Sequence, residues 1–427
     1  MSDWKNEILK NLNEPQQHAV QTTQGPLLIL AGAGSGKTRT IIHRMAYLIH
    51  VEKVPAYKLA AVTFTNKAAN EMRERLLNVA GPIGSDSTVR TFHSLGLFLL
   101  RRNAAALEYP ENFSIWDDAD QQSALSQILE KFEGKFNRTE TRYFANSISS
   151  FKDRLVTPQN LVDEVDLDAY EFGDILQEVY QLYELKKKAS FAVDFADLIS
   201  LPCFLFDKNP DLLTHWQNRY PYWLIDEYQD TNFAQYRFVQ HVAARDRNLC
   251  VVGDDDQAIY GWRGADVKNI LDFSLDFKDA TVVKLEENYR STKPILDVAN
   301  AVIQNNLERM EKTLFTNRAG GTPPLLISTS DDAAEARQIA ALIQKAQQAG
   351  VPNSEIAVLY RTNAQSRLIE EACLNAKIPY RVYGGLSFFA RKEIKDILAY
   401  FRLIVNPHDE TAFLRVINTP SRGIGEK

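Results

Sequence analysis

PLLILAGAGSGKTRT, residues 26–40, is the stretch that decides the fold. A short apolar run, PLLIL (26–30), enters a turn containing Gly32, Gly34 and Gly36, and helical periodicity follows over Thr38–Val51. A strand that turns through glycines into a helix N-terminus lets backbone N–H groups curl around phosphate oxygens, and the helix end adds partial positive charge. The residues expected to line that cradle are Gly32, Ala33, Gly34, Ser35 and Gly36. Lys37 is expected to neutralise the outer phosphates and Thr38 to ligate Mg²⁺. The strict form of the motif has glycine where this chain has Ala31.

Outward from this loop, similar apolar runs recur: LAAVTF (59–64), STVRTF (87–92), YWLID (222–226), LCVVGD (249–254), TVVKL (281–285), LLIST (325–329) and IAVLY (356–360). They read as buried parallel strands, and helical patterns at Asn66–Ala80, Lys293–Asn306 and Asp332–Gln348 alternate with them. Strand and helix in alternation imply α/β layers. Between about 95 and 216 the strand runs give way to amphipathic stretches, Asp118–Phe132, Glu171–Ala189 and Val193–Phe206, which read as a helical insertion.

The strand WLID ends in adjacent carboxylates, Asp226 and Glu227. A metal-assisted phosphoryl site needs one carboxylate for the cation and a nearby base for the attacking water, and Asp226 and Glu227 suit those roles in that order. The run Asp254–Asp256 reads as a solvated turn rather than a second metal site. A guanine-specific site is excluded, because TNKAAN puts Ala69 where an NKxD motif requires aspartate.

Composition narrows the classes further. The 427 residues, 45% hydrophobic and 24% charged, describe a globular chain of several domains. With 49 basic against 55 acidic residues the net charge is −6, so a nucleic-acid site has to be a locally basic groove. Cys203, Cys250 and Cys373 form no ligand or disulfide pattern, which fits a reducing compartment. Neither a secretory signal nor a membrane span is expected, which favours the cytoplasm.

Read in order, LNEPQQHAV (12–20), AGAGSGKT (31–38), TFTNKAANEM (63–72), RTFHS (90–94), IDEYQDT (225–231), VVGDDDQAIYGWRGA (251–265) and LEENYRST (285–292) resemble the motifs of superfamily 1 DNA helicases of the UvrD/Rep/PcrA type. The resemblance continues through YRTNAQSR (360–367), YRVYGG (380–385), RKEIKD (391–396) and NTPSRGIG (418–425). Tyr228 stands where that family commonly has Phe. It implies a RecA-like motor domain over 1–94 and 217–284, a helical insertion at 95–216, the first half of a second RecA-like domain at 285–383, and the start of an inserted mobile subdomain at 384–427.

The resemblance also implies site roles. Gln16 would read adenine, Tyr289 would stack on it with Arg39 near the other face, Arg290 would reach the γ-phosphate and Gln257 would sense it. Thr63, Phe64, Asn66, Thr91, His93, Tyr260, Trp262 and Arg263 would contact DNA, the aromatic rings by stacking. The implied activity is ATP-dependent, Mg²⁺-requiring 3′ to 5′ translocation on single-stranded DNA, with junctions of single and double strands as substrates and repair or replication restart as the role. The family's later motifs have no counterpart before Lys427, so the alternative expectation is a nucleotide- and DNA-binding fragment without unwinding activity.

Overall fold

The computed structural model describes residues 4–383 and 392–424. Its centre is a six-stranded sheet built from β1 (Leu27–Ala31), β2 (Leu59–Thr63), β3 (Thr88–Thr91), β6 (Tyr222–Ile225), β7 (Asn248–Gly253) and β8 (Thr281–Leu285). The spatial order is β3-β2-β6-β7-β1-β8, and every pairing is parallel. The six apolar runs from PLLIL to TVVKL therefore form the sheet.

The four inner strands β1, β2, β6 and β7 lack polar alternation because helices cover both faces of a parallel sheet, whereas the edge strands β3 and β8 alternate between buried and more exposed residues. Leu27, Ile29 and Ala31 join one core with Ile41, Met45, Met72 and Leu76. Leu28 and Leu30 join the other, with Leu95, Leu99, Cys203, Phe206 and Phe238. Successive side chains of β1 thus point into different cores.

The stretch between β3 and β6 is mainly helical, with Asp118–Leu129, Arg138–Asp153 and Gly173–Ala189 packed around Trp116, Phe144, Phe151 and Tyr183. It also holds a two-residue parallel pair, β4 (Ser114–Ile115) with β5 (Ala192–Val193). The helix expected from Val193 starts instead at Asp197, because Val193 belongs to β5 and Asp194 turns inward to bond the Lys152 ammonium at 2.5 Å.

The described residues divide into two compact units, one running to Thr322 and resuming at Leu398, the other Pro323–Ile397. Residues 286–322, read from sequence as part of the second motor half, pack with the first unit. The described residues 398–424 include contacts with the helical insertion: the Asn406 amide donates to Ser114 Oγ and the Ser190 carbonyl, both at 3.0 Å, and Lys186 pairs with Glu410 at 2.8 Å. Residues 384–391 and 425–427, which carry parts of three quoted motifs, lie outside the described residues.

In the second unit the helices Asp332–Gln348 and Ser366–Asn375 pack together around Ile343, Cys373 and Ile378. LLIST and IAVLY were expected as strands, but neither joins a sheet among the described residues. A strand exists only through a neighbour's hydrogen bonds, and without one an apolar run stays irregular, with Leu326 96% exposed.

Candidate functional site

All the strand-borne site residues emerge at the C-terminal edge of the sheet, where parallel α/β sheets present their ligand sites. Beyond Ala31 the Gly32 N–H donates to the Leu285 carbonyl at 3.1 Å, and the chain then turns, with the Ser35 hydroxyl donating to the Gly32 carbonyl at 2.7 Å. Gly34 (φ 69°) and Gly36 (φ 87°) adopt left-handed conformations that disfavour a side chain. A Cβ on Gly34 would lie 2.6 Å from Asn288 Nδ2, and one on Gly36 2.9 Å from Gln16 Nε2. Gly36 caps the helix Lys37–His50 without a side-chain hydrogen bond, which leaves the helix's first amides to other acceptors.

Lys37 Nζ is buried and lies 3.2 Å from Glu227 Oε2, yet it makes no hydrogen bond. An ammonium held this way has donors to spare, and the loop around it suits an anion. This is the observation that fits a triphosphate to these residues.

The Asp226 N–H donates to the Val62 carbonyl at 2.8 Å, fixing the first carboxyl at the ends of β2 and β6. Burial, reinforced by neighbouring Glu227 and opposed by Lys37, pushes the Asp226 carboxyl up to about 7. A cation beside it would restore the ionised form, and Thr38 and Asp226 together supply the hard oxygen donors Mg²⁺ takes. Glu227 sits at φ 53°, an uncommon conformation for a residue with a side chain, and its N–H donates to Asp226 Oδ1 at 3.1 Å.

Gln229, not singled out in the sequence, joins the carboxylates to the next strand. Its amide donates to Glu227 Oε2 and Asp230 Oδ2, each at 3.1 Å, and its oxygen accepts the Asp254 N–H at 3.0 Å. A Cβ on Gly253 would come within 2.6 Å of that oxygen. A glutamine in a polar motif gives no sequence signal for such a bridge.

Gln16 is buried and engaged. Its amide donates to the Ser35 carbonyl at 2.9 Å, and its oxygen accepts the Asn13 N–H at 3.2 Å, closing a capping box on the helix Glu14–Gln21. One amide hydrogen remains for a base. Tyr289 is half-exposed beside it: its N–H donates to the Gly34 carbonyl at 3.0 Å, and its hydroxyl donates to Glu287 at 2.7 Å while accepting from Asn13 at 2.8 Å. Arg39 and Arg290 are exposed. The Arg290 Cβ stands 2.8 Å from where a Gly34 Cβ would be, so Arg290 rises beside the phosphate loop. The Gln257 amide donates to the Asp254 carboxylate.

The residues proposed for DNA lie toward the opposite end of the sheet edge. Thr63 and Thr91 are register partners at the ends of β2 and β3. Thr91 caps the helix Phe92–Arg102 in a box with Ser94, so its hydroxyl already has a structural task. Phe64 and Tyr260 have ring centroids 5.3 Å apart, and Tyr260 and Trp262 6.3 Å apart. Arg263 lies 4.6 Å over the Trp262 ring, which is 65% exposed. Asn66 is exposed at the start of its helix, and exposed His93 stands edge-on to Phe195 at 6.3 Å. Phe64, Tyr260, Trp262 and Arg263 thus form one open aromatic and cationic surface, while Asn66 and His93 have no described contact with it.

A parallel sheet in this order with a glycine loop closing β1 defines a RecA-like P-loop domain carrying a helical insertion. The UvrD/REP helicase N-terminal domain matches residues 12–278, and the UvrD-like helicase C-terminal domain matches 283–427. The chain belongs to the UvrD/REP helicase family. It is 45% identical over 421 residues to proteins named ATP-dependent DNA helicase PcrA from Staphylococcus epidermidis and Bacillus subtilis, and 44% identical over 420 residues to that of Staphylococcus aureus. Those matches cover 98% of this chain and 57% of each relative, so the chain spans little more than half their length.

Proposed function

We propose that this chain is the ATP-driven motor portion of a DNA helicase that moves 3′ to 5′ along single-stranded DNA. One observation carries the reading: a single sheet edge bears a phosphate loop at one end, whose buried Lys37 ammonium faces Glu227 without a hydrogen bond, and an open aromatic surface toward the other, with Asp226, Glu227 and the Asp254–Gln257 turn between them. The membership in the UvrD/REP family and the PcrA relatives support the same reading.

In this reading Gly32–Gly36 and Lys37 bind the phosphates, Gln16, Arg39 and Tyr289 hold the adenine, and Thr38 and Asp226 hold Mg²⁺, which supplies charge neutralisation at the phosphate oxygens. Glu227 orients the attacking water and takes its proton, while Arg290 stabilises charge developing on the transferred group and Gln257 registers it. Phe64, Tyr260 and Trp262 stack on bases irrespective of sequence, with Arg263, Thr63, Asn66, Thr91 and His93 on the strand. In this reading the motor divisions keep the bounds expected from sequence, 1–94 with 217–284, the insertion 95–216, and a second motor half from 285 with its inserted subdomain from 384, with 286–322 and 398–424 packed in the first unit. The proposed reading extends to a cytoplasmic repair or replication-restart role at strand junctions, and the relatives named ATP-dependent DNA helicase PcrA support its DNA substrate. No helix among the described residues is long and apolar enough to cross a membrane.

ATP turnover measured with and without single-stranded DNA tests the proposal. DNA should stimulate turnover, and Lys37→Ala and Glu227→Gln should each abolish it with circular dichroism unchanged. Undiminished turnover in either variant would remove the assignment.

A further inference from the structure

The Asp254–Asp256 run follows β7 and leads into Gln257, and it is not solvated. Asp254 and Asp255 are buried, and their counter-charge arrives from a segment more than fifty residues later. Lys312 Nζ lies 2.9 Å from Asp254 Oδ1, 2.5 Å from Asp255 Oδ1 and 2.7 Å from Asp256 Oδ2, with its side chain only 2% exposed. Arg309 adds a two-pronged bond to Asp256, both contacts at 2.8 Å, and the Met310 N–H donates to Asp255 Oδ2 at 2.7 Å. An ammonium at the centre of the three carboxylates takes the position a cation would need.

The same segment continues to the nucleotide loop. The Thr313 N–H donates to Glu286 Oε1 at 2.7 Å, and Phe315 exchanges backbone hydrogen bonds with Glu286 and Asn288 at 3.1 and 2.7 Å. Between them Leu314 covers Gly32 so closely that a Cβ there would fall 2.1 Å from Leu314 Cδ2. Asn288, on the far side, donates to the Ala33 carbonyl at 2.5 Å.

The geometry points to Arg309–Phe315 as a strap that couples nucleotide binding at the phosphate loop to single-strand binding at Tyr260–Arg263, with Lys312 as its positioning residue. The inference rests on the proposed reading of those two sites. Its physical basis is that a buried ammonium shared by three carboxylates has few alternative arrangements, and separating it from them leaves uncompensated charge. Displacement of Leu314 by an occupant of the loop is therefore passed to the Asp254–Asp256 turn, with Gln257 moving on the Asp254 carboxylate. Such a contiguous network is a physical carrier of coupling, and coupling has to be measured as such.

The test is a linkage measurement on the 427-residue chain: the affinity for a fluorescein-labelled oligothymidine with and without a non-hydrolysable ATP analogue. A coupling factor of about 5 or more in the unsubstituted chain is the ordinary range for linked sites, and in Lys312→Met it should fall to about 1 while analogue affinity changes by less than about threefold. Lys312→Arg, which keeps the charge, should restore part of the coupling. Asp256→Asn, at the less buried end of the cluster, serves where Lys312→Met does not fold, and it should lower the factor as well. Full coupling retained in a folded variant of either kind overturns the strap. An unsubstituted chain in which the analogue and the oligonucleotide bind without affecting each other also overturns it, whereas failure to bind either ligand removes the motor reading beneath it.

Discussion

At the scale of single residues, backbone conformation and exposure separate two kinds of site position. Gly34 combines φ 69° with a Cβ position 2.6 Å from Asn288 and 2.8 Å from Arg290. Alanine there has to displace the segment that seats Tyr289 and Arg290 against the loop. Gly34→Ala should weaken nucleotide binding by about tenfold or more, roughly 1.4 kcal/mol, in a fluorescent-nucleotide titration. Wild-type affinity would show that the crowding is relieved without cost. Trp262 is the opposite case, an exposed ring that stabilises no core. Trp262→Ala should leave the melting temperature unchanged and weaken single-strand binding by about 1–3 kcal/mol, equally on thymine and adenine tracts. Unaltered affinity would take the ring out of the interface.

At the scale of elements, the helical insertion is held by a buried ionic cluster. Lys152 lies 2.5 Å from Asp194, 2.9 Å from Asp197 and 2.7 Å from Glu184, and Lys187 pairs with the same carboxylates. Burial disfavours the charged Asp194 carboxyl, but the two ammonium groups outweigh it and hold the group below its ordinary value. Lys152→Met leaves three carboxylates facing one cation and should destabilise the chain by about 3–5 kcal/mol in urea unfolding. A loss under about 1 kcal/mol would mean that solvent already screens the cluster. Nothing in KDRLV or AVDFADL announces this arrangement, since charged residues on helices usually face water. The sheet was legible for the contrary reason: the inner strands β1, β2, β6 and β7 are largely contiguous apolar runs, and the loop and carboxylates follow their strands directly in sequence. Contacts between distant segments were not. Lys312 sits in LERMEKTLFTN as an ordinary basic residue, and only the physical need of a buried Asp254–Asp256 turn for cations could have prompted a search for it. LLIST and IAVLY misled because composition marks a run as fit for a sheet without supplying the neighbour that makes it one.

For the whole molecule, the groups that burial holds off their ordinary pKa make stability depend on pH, and Asp153 gives the cleanest test. It ends the helix Arg138–Asp153, accepts a 2.8 Å hydrogen bond from Asn232 Nδ2, and lies near Gly264 of the loop that carries Trp262. Burial, reinforced by Asp194 and opposed by the Asn232 bond and Lys152, pushes its carboxyl up to about 7. The folded chain therefore holds a proton here that the unfolded chain releases near pH 4, so this group's contribution to stability declines as pH rises from about 4 and is fully lost above about 7. Asp153→Asn keeps the acceptor for Asn232 and removes the titration. The variant should match the unsubstituted protein in urea unfolding near pH 4 and exceed it at pH 8 by up to about 4 kcal/mol, the equivalent of roughly three pKa units. Because the Asn232 bond survives in the variant, single-strand affinity should be unaltered. A stability difference independent of pH would place the effect in packing and show that the Asp153 carboxyl is ionised in the folded chain.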